Sequence, residues 1–467
     1  MSSYISDIAV SSAVQGSILN ATFTHDSTTI TFMIDEASNK KPFKVCFNNL
    51  FLRDASRSPN SVDAKTGQKL FTTGRLAVKQ IHTIPAVIKI SKDAQSVNIT
   101  WKDGDSYDYP LDFLFRYKGS TFATRSLRNA SSVFRPLIWN KHRFEDSMEN
   151  FETDYRKFMD DDKALFDALI NLQRYGLVLV TNLPPVESQD PQFLKDLCER
   201  VGPIRKTVYG ETFDINSRTE DDTHISSTNV KLPFHMDLQY LQHVPGFKFI
   251  QSIKNETKGG ENFFIDAFNI ARSIREQDTE AYEALQIVPI NYKYARGDMR
   301  YYESRPLIEQ NDTSEHNIEP ANYEYLIKNV NYSPPFQAPF TYGIYNKMPK
   351  DTDSDATDTD NCILTAPGRL IERFTFADFV RGLELFETLT SEERNQFMIK
   401  LPENSCIIMN NRRILHSRNN FEANDDDTRH FRSCFLDSDH FKSKMKYLEE
   451  KLSLIHISEP TRHAQLS

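Results

Sequence analysis

Over the first 115 residues apolar side chains recur at every second position in short runs. Thr28-Thr29-Ile30-Thr31-Phe32-Met33 and Ser96-Val97-Asn98-Ile99-Thr100-Trp101 are two of them, with Gly, Asp and Asn in between. A period of two is that of a strand with one buried face, so residues 1–115 predict a small β-rich domain. From Arg116 to about Glu149 the chain turns basic and irregular, and from Phe151 to Leu172 the spacing predicts a helix. Residues 116–160 are read as a connector. The β-branched run Tyr175 to Asn182, ended by Pro184-Pro185, suits a buried strand near the start of a second domain spanning 161–451.

Within that domain, strand-like runs at Lys248 to Ile253, Asn262 to Asp266, Ser405 to Met409 and His430 to Phe435 are spread around helical stretches at Thr279 to Leu285 and Phe376 to Phe386. Strands and helices do not alternate regularly. This disfavours a doubly wound parallel sheet and predicts a mainly antiparallel β fold with packed helices. The acidic stretch Asp351 to Asp360 lacks the Gly turn and terminal Glu of a calcium loop and reads as a solvated loop. The run Leu452 to Arg462 reads as a sequencing adapter translated in frame, so residues 452–467 are left out of fold reasoning.

Composition narrows the function. A chain of 467 residues exceeds the roughly 250–300 that one core usually serves, in keeping with two domains. With 33 Phe and 19 Tyr it can bury a large core. A net charge of −9 supplies no positive field for nucleic acid or an anionic membrane. The five cysteines include no C-x-x-C pair, which argues against a disulfide framework and a cysteine zinc site. The N-terminus carries no secretory signal pattern, and no stretch has the roughly 18–20 apolar residues of a membrane span. Cytoplasm is the expected compartment, with a cryptic mitochondrial signal as the alternative.

The chemistry lies in Pro233-Phe234-His235-Met236-Asp237, because on a strand residues i and i+2 share a face and can share one metal. Far downstream an apolar strand leads to His416, and Arg429 follows in Thr428-Arg429-His430-Phe431. H-x-D, a distant His and then an Arg is the order of a two-histidine, one-carboxylate triad, which leaves open positions on Fe(II). A 2-oxo acid would take two of them and O₂ the third. Its far carboxylate needs a fixed cation, and the arginine fork suits it, so Arg429 is assigned to 2-oxoglutarate.

Further residues carry a resemblance: Leu52-Arg53-Asp54, Gly246, Gly259-Gly260, Ile265-Asp266-Ala267-Phe268-Asn269, Glu422-Ala423 and Arg429-His430. Together with the triad they resemble γ-butyrobetaine hydroxylase and its sister trimethyllysine hydroxylase, from about Phe43 to Tyr447. The resemblance implies a double-stranded β-helix (jelly-roll) catalytic domain, a small N-terminal β domain and a homodimer. It implies iron held by His235, Asp237 and His416, ascorbate as supporting reductant, and Asn262 as a second contact to 2-oxoglutarate. It also implies hydroxylation of a trimethylammonium carboxylate, γ-butyrobetaine giving L-carnitine in carnitine biosynthesis. The aromatic cage for that cation falls on Tyr209, Phe213, Ser227 and Phe435, so one ring is replaced by a serine.

Animal relatives hold a zinc ion in the N-terminal domain through three cysteines and a histidine. The matching positions here are Ser56, Ser58, Ser61 and a residue near Asp105, and a serine hydroxyl is no substitute for a thiolate, so no zinc is expected. Val330-Asn331-Tyr332-Ser333-Pro334-Pro335-Phe336 replaces an Asn-Asn segment of relatives. These departures leave hydroxylation of trimethyllysine or another amine as the runner-up. A catalytically silent jelly-roll binding module and a nucleic-acid demethylase are weaker readings.

Overall fold

The computed structural model describes residues 16–34, 42–78, 80–119, 136–185, 192–216, 231–311, 327–341, 363–365, 369–371, 373–422 and 429–458. The chain divides into two compact units, Met1–Val133 and Phe134–Ser467. In the first unit, β1 (Gly16–Phe23), β2 (Ser27–Ile34) and β3 (Pro42–Asn48) form one antiparallel sheet. A second antiparallel sheet comprises β4 (Pro85–Ile90), β5 (Ser96–Trp101) and β6 (Ser106–Pro110). The period of two read from the sequence is the burial pattern: Ile30 and Phe32 of β2 and Val97, Ile99 and Trp101 of β5 share one core.

Beside that core lies a buried polar knot. The hydroxyls of Ser56, Ser58 and Ser61 all donate to the Asp105 carboxylate, Ser56 at 2.7 Å. Arg53 Nη1 donates to Ser61 Oγ at 2.9 Å and lies 3.3 Å from Asp105 Oδ2. The positions matched to the zinc ligands of relatives are thus joined here by hydrogen bonds among themselves. A guanidinium and three hydroxyls compensate the buried carboxylate.

The second unit contains, in chain order, β7 (Glu152–Asp154), β8 (Leu177–Thr181), β9 (Thr212–Asn216), β10 (Leu232–His235), β11 (Phe247–Asn255) and β12 (Asn262–Asp266). Three two-stranded ribbons follow: β13 (Pro289–Arg296) with β14 (Met299–Pro306), β15 (Ile308–Gln310) with β16 (Ile327–Val330), and β17 (Ile363–Thr365) with β18 (Arg369–Ile371). The last strands are β19 (Phe397–Ile399), β20 (Ser405–Asn410), β21 (Ile414–Arg418) and β22 (Arg429–Leu436). A six-stranded sheet has the order β7-β8-β20-β11-β22-β9, and a four-stranded sheet the order β10-β21-β12-β19. All pairs in both are antiparallel except β7 with β8. Ile250, Ile407 and Phe431 of the larger sheet share a core cluster with Phe264 and Ile414 of the smaller one, so the two sheets face each other as in a jelly roll.

The continuous helix expected from Phe151 is instead a short strand, β7, and two helices, Tyr155–Asp160 and Asp162–Tyr175. The aspartates decide this. Asp154 accepts from the backbone N–H of Arg156 and Lys157, and Asp161 from Lys163 and Ala164, so each begins a new helix. The second helix ends at Gly176, whose φ of +78° favours glycine. A Cβ there would meet Ile414 Cδ1 at 2.7 Å, so this glycine also lets β21 approach.

Candidate active site

Strands β10 and β21 are neighbours, and their register sets His235 directly opposite His416 with ring centroids 4.2 Å apart. Asp237 departs from the expectation that H-x-D lies on one strand, because β10 ends at His235. Backbone clamping takes the strand's place. Asn411 Oδ1 accepts from the Asp237 N–H at 2.9 Å, Asn411 Nδ2 donates to the Asp237 carbonyl at 3.1 Å, and the Met236 N–H donates to the Tyr332 carbonyl at 2.7 Å. The segment around Tyr332 is therefore a direct support of the site.

One donor atom each from His235, Asp237 and His416 lies within 4.8 Å of the others. His235 Nδ1 donates to the Pro233 carbonyl at 2.8 Å, which leaves Nε2 as the lone-pair donor. Burial pushes His416 down to about 3, so its imidazole is neutral throughout the physiological range. Burial alone would raise Asp237, but Lys248 and His416 hold it well below the usual carboxylate range. Two imidazoles and an ionised carboxylate on one side of a point fit a divalent metal with open positions on the other side.

Next to the triad is a cationic corner. Arg429 opens β22, and Arg418 lies two residues after His416 on the same face of β21, opposite Asn262 in β12. Both guanidiniums are buried and stack on the Phe421 ring, at 4.9 Å for Arg418 and 5.3 Å for Arg429. Burial lowers Arg429 to about 9, with Arg418 contributing, and burial lowers Arg418 to about 10. The buried Asn262 Nδ2 has no hydrogen-bond partner among the described residues. Two clustered cations and an unused amide donor suit a dicarboxylate. Arg429 and Asn262 were expected here. Arg418 was missed, although its i+2 spacing from His416 is a readable signal.

Residues 141–435 match the family described as Taurine catabolism dioxygenase TauD, TfdA family. The chain belongs to the TauD/TfdA dioxygenases. Members of this family typically use Fe(II) and 2-oxoglutarate, and the triad has donors suited to the first and the cationic corner donors suited to the second. The dioxygenase is 46% identical over 458 residues to "Probable oxidoreductase AIM17" of Saccharomyces cerevisiae, covering 96% of this chain and 94% of that one. It is 25% identical over 403 residues to the gamma-butyrobetaine dioxygenase of Pseudomonas sp. (strain AK-1), covering 86% and 90%. It is 26% identical over 407 residues to the mitochondrial trimethyllysine dioxygenase of Mus musculus, covering 84% and 80%.

Three of the four expected cage residues of the TauD/TfdA dioxygenase come together. Tyr209 and Phe213 have ring centroids 5.1 Å apart, and Phe213 stacks on Phe435 at 5.8 Å. Ser227 lies outside the described residues. Sequence reasoning missed the rings that extend this wall. The Tyr240 hydroxyl lies 3.1 Å from that of Tyr209, and Tyr294 and Phe336 pack on Tyr240 at 4.8 and 5.1 Å. It also missed Lys248, whose Nζ lies 2.7 Å from Asp237 Oδ2, 3.3 Å from His416 Nε2 and 5.9 Å from the Phe435 ring centre. That side chain spans the gap between triad and rings.

Proposed function

We propose that this dioxygenase is an Fe(II)- and 2-oxoglutarate-dependent hydroxylase of a small amine carboxylate, with γ-butyrobetaine as substrate and L-carnitine as product, acting in the cytoplasm. The observation that carries the reading is the aromatic wall of Tyr209, Phe213 and Phe435 beside a two-histidine, one-carboxylate donor set. His235, Asp237 and His416 hold the iron. Arg429 and Arg418 hold the far carboxylate of 2-oxoglutarate, and Asn262 donates to it. Iron bound there supplies, with 2-oxoglutarate and O₂, an oxidant able to hydroxylate an unactivated carbon as the oxo acid leaves as succinate and CO₂. The rings offer faces to a trimethylammonium group, which cannot donate a hydrogen bond and is best held by cation–π attraction. The similarity to the Pseudomonas gamma-butyrobetaine dioxygenase supports this substrate.

The test is succinate release with γ-butyrobetaine, trimethyllysine or no added substrate. Stimulation by γ-butyrobetaine with carnitine formed in step is expected. Equal release in all three arms would sink the substrate assignment, and failure to bind iron would sink the reaction class. A second prediction concerns the oxo acid. Arg429→Met should raise the KM for 2-oxoglutarate on the order of 10- to 100-fold, the worth of a charge-assisted hydrogen-bond pair. An unchanged KM would move that role to Arg418.

A further inference from the structure

Of the three rings of the aromatic wall, two are carried by strands of the larger sheet, Phe213 by β9 and Phe435 by β22, whose ladder fixes their backbone. Tyr209 is not. It sits in a tight turn from Thr207 to Gly210, closed by backbone hydrogen bonds between those two residues at 2.9 and 3.0 Å. Turns are held less rigidly than the elements they join, so a ring on one depends on side-chain contacts for its orientation. The Tyr209 hydroxyl lies 3.1 Å from that of Tyr240, within hydrogen-bond distance.

Tyr240 is itself firmly placed. It is 1% exposed, stacks on Tyr294 with ring centroids 4.8 Å apart and meets Phe336 edge to face at 5.1 Å. Among the described residues, Tyr209 is the hydrogen-bond partner of its hydroxyl. Tyr240 stands three residues after Asp237, on a turn pinned at both ends: Asn411 brackets the Asp237 backbone, and Arg305 Nη2 donates to the Leu241 carbonyl at 2.6 Å. Between those ends Arg412 Nη1 donates to Gln239 Oε1 at 3.3 Å. The turn also contains Leu238 at a φ of +60°, a left-handed conformation that is unfavourable for leucine. Such strain persists where the surrounding contacts over-determine the backbone, and it collects where the position of a functional group matters. One strained, clamped turn therefore carries a metal donor at its start and the anchor of the aromatic wall near its end.

Resting on the function proposed above, we infer that Tyr240 is a positioning residue for the substrate's cation, holding the Tyr209 ring through its hydroxyl at a set separation from Asp237. The reacting carbon lies between the metal donors and the wall, so the turn from Asp237 to Leu241 fixes the span into which the substrate chain must fit. Without the Tyr240 hydroxyl the Tyr209 ring can swing on its turn, and its face no longer stays presented to the trimethylammonium group. A phenylalanine in place of Tyr240 keeps the ring and its packing, so only this hold is removed.

The experiment is steady-state kinetics of the full chain with Fe(II), 2-oxoglutarate and γ-butyrobetaine, comparing wild type, Tyr240→Phe, Tyr209→Phe and the double variant. Tyr240→Phe should raise the KM for γ-butyrobetaine on the order of 3- to 10-fold, the worth of one neutral hydrogen bond, with kcat and the KM for 2-oxoglutarate within about twofold of wild type. Because the two hydroxyls act as a unit, the double variant should match the more impaired single variant rather than show the product of both losses. An unchanged KM for γ-butyrobetaine in Tyr240→Phe overturns the inference, as do losses that multiply in the double variant. A parallel rise in the KM for 2-oxoglutarate also overturns it, since Tyr240 would then support the whole site rather than the wall. No response of the wild type to γ-butyrobetaine would overturn the substrate reading and this inference with it, whereas a wild-type response with an unaltered Tyr240→Phe would overturn this inference alone.

Discussion

Asp237→Ala will abolish turnover and iron retention together. Asp237 contributes the anionic donor of the triad, and without it two imidazoles remain to hold a dication. Loss of an outer-shell partner typically costs 10- to 100-fold in metal affinity, so loss of the carboxylate itself should cost roughly 100-fold or more. The readouts are iron per chain after dialysis and succinate formed with saturating 2-oxoglutarate. The same change removes the counter-ion of Lys248, whose ion pair with Asp237 is buried. The metal-free variant should therefore melt below the wild type, and Asp237→Ala combined with Lys248→Met should recover stability without recovering iron. Wild-type iron content in Asp237→Ala would show that the metal site is elsewhere.

The second large effect is structural. Asp266, fully buried at the end of β12, accepts from Arg413 Nε at 2.9 Å and Nη2 at 2.7 Å, and from the backbone N–H of Trp139 at 3.0 Å and Phe268 at 3.1 Å. Arg413 also donates to the carbonyls of Arg174 and Leu137, at 2.7 and 2.8 Å. This knot joins the end of β12, the turn into β21 and the entry segment before Trp139. It stands two residues from His416 along β21, because Asp266 pairs with Ile414 in register. Arg413→Ala leaves a buried carboxylate without its cation, which costs about 3–5 kcal/mol. For a domain of this size that lowers the thermal midpoint by roughly 5–10 °C. Arg413→Lys should recover only part, since an ammonium cannot reproduce the planar fork that bonds two carboxylate oxygens and two carbonyls. A midpoint within about 1 °C of wild type in differential scanning calorimetry would refute the account.

What could be read from the residues depended on how local the signal is. Alternation of apolar positions placed β2 and β5, and short strand-like runs placed β11, β12, β20 and β22, within a residue or two, because neither signal needs knowledge of the partner strand. The aspartates at 154 and 161 were legible as acidic residues but misread as helix interior, since only the backbone N–H groups they accept from reveal them as caps. The ring wall was partly visible through Tyr209, Phe213 and Phe435. Tyr240, Tyr294 and Phe336 join it through ring contacts that no sequence spacing encodes.

By itself, then, the order His235, Asp237, His416, Arg429 determined the chemistry expected of this chain, because those residue types have few other reasons to recur in that sequence. Only the tertiary structure decided how they meet. The register of β10 on β21 sets the histidines face to face, and Asn411, from a distant turn, holds Asp237 where no strand does. The same folding brings Lys248 from a third strand to the centre of the site. Antiparallel sheets bring together residues far apart in sequence, so a charge contributed from across the sandwich leaves no periodic trace in the chain.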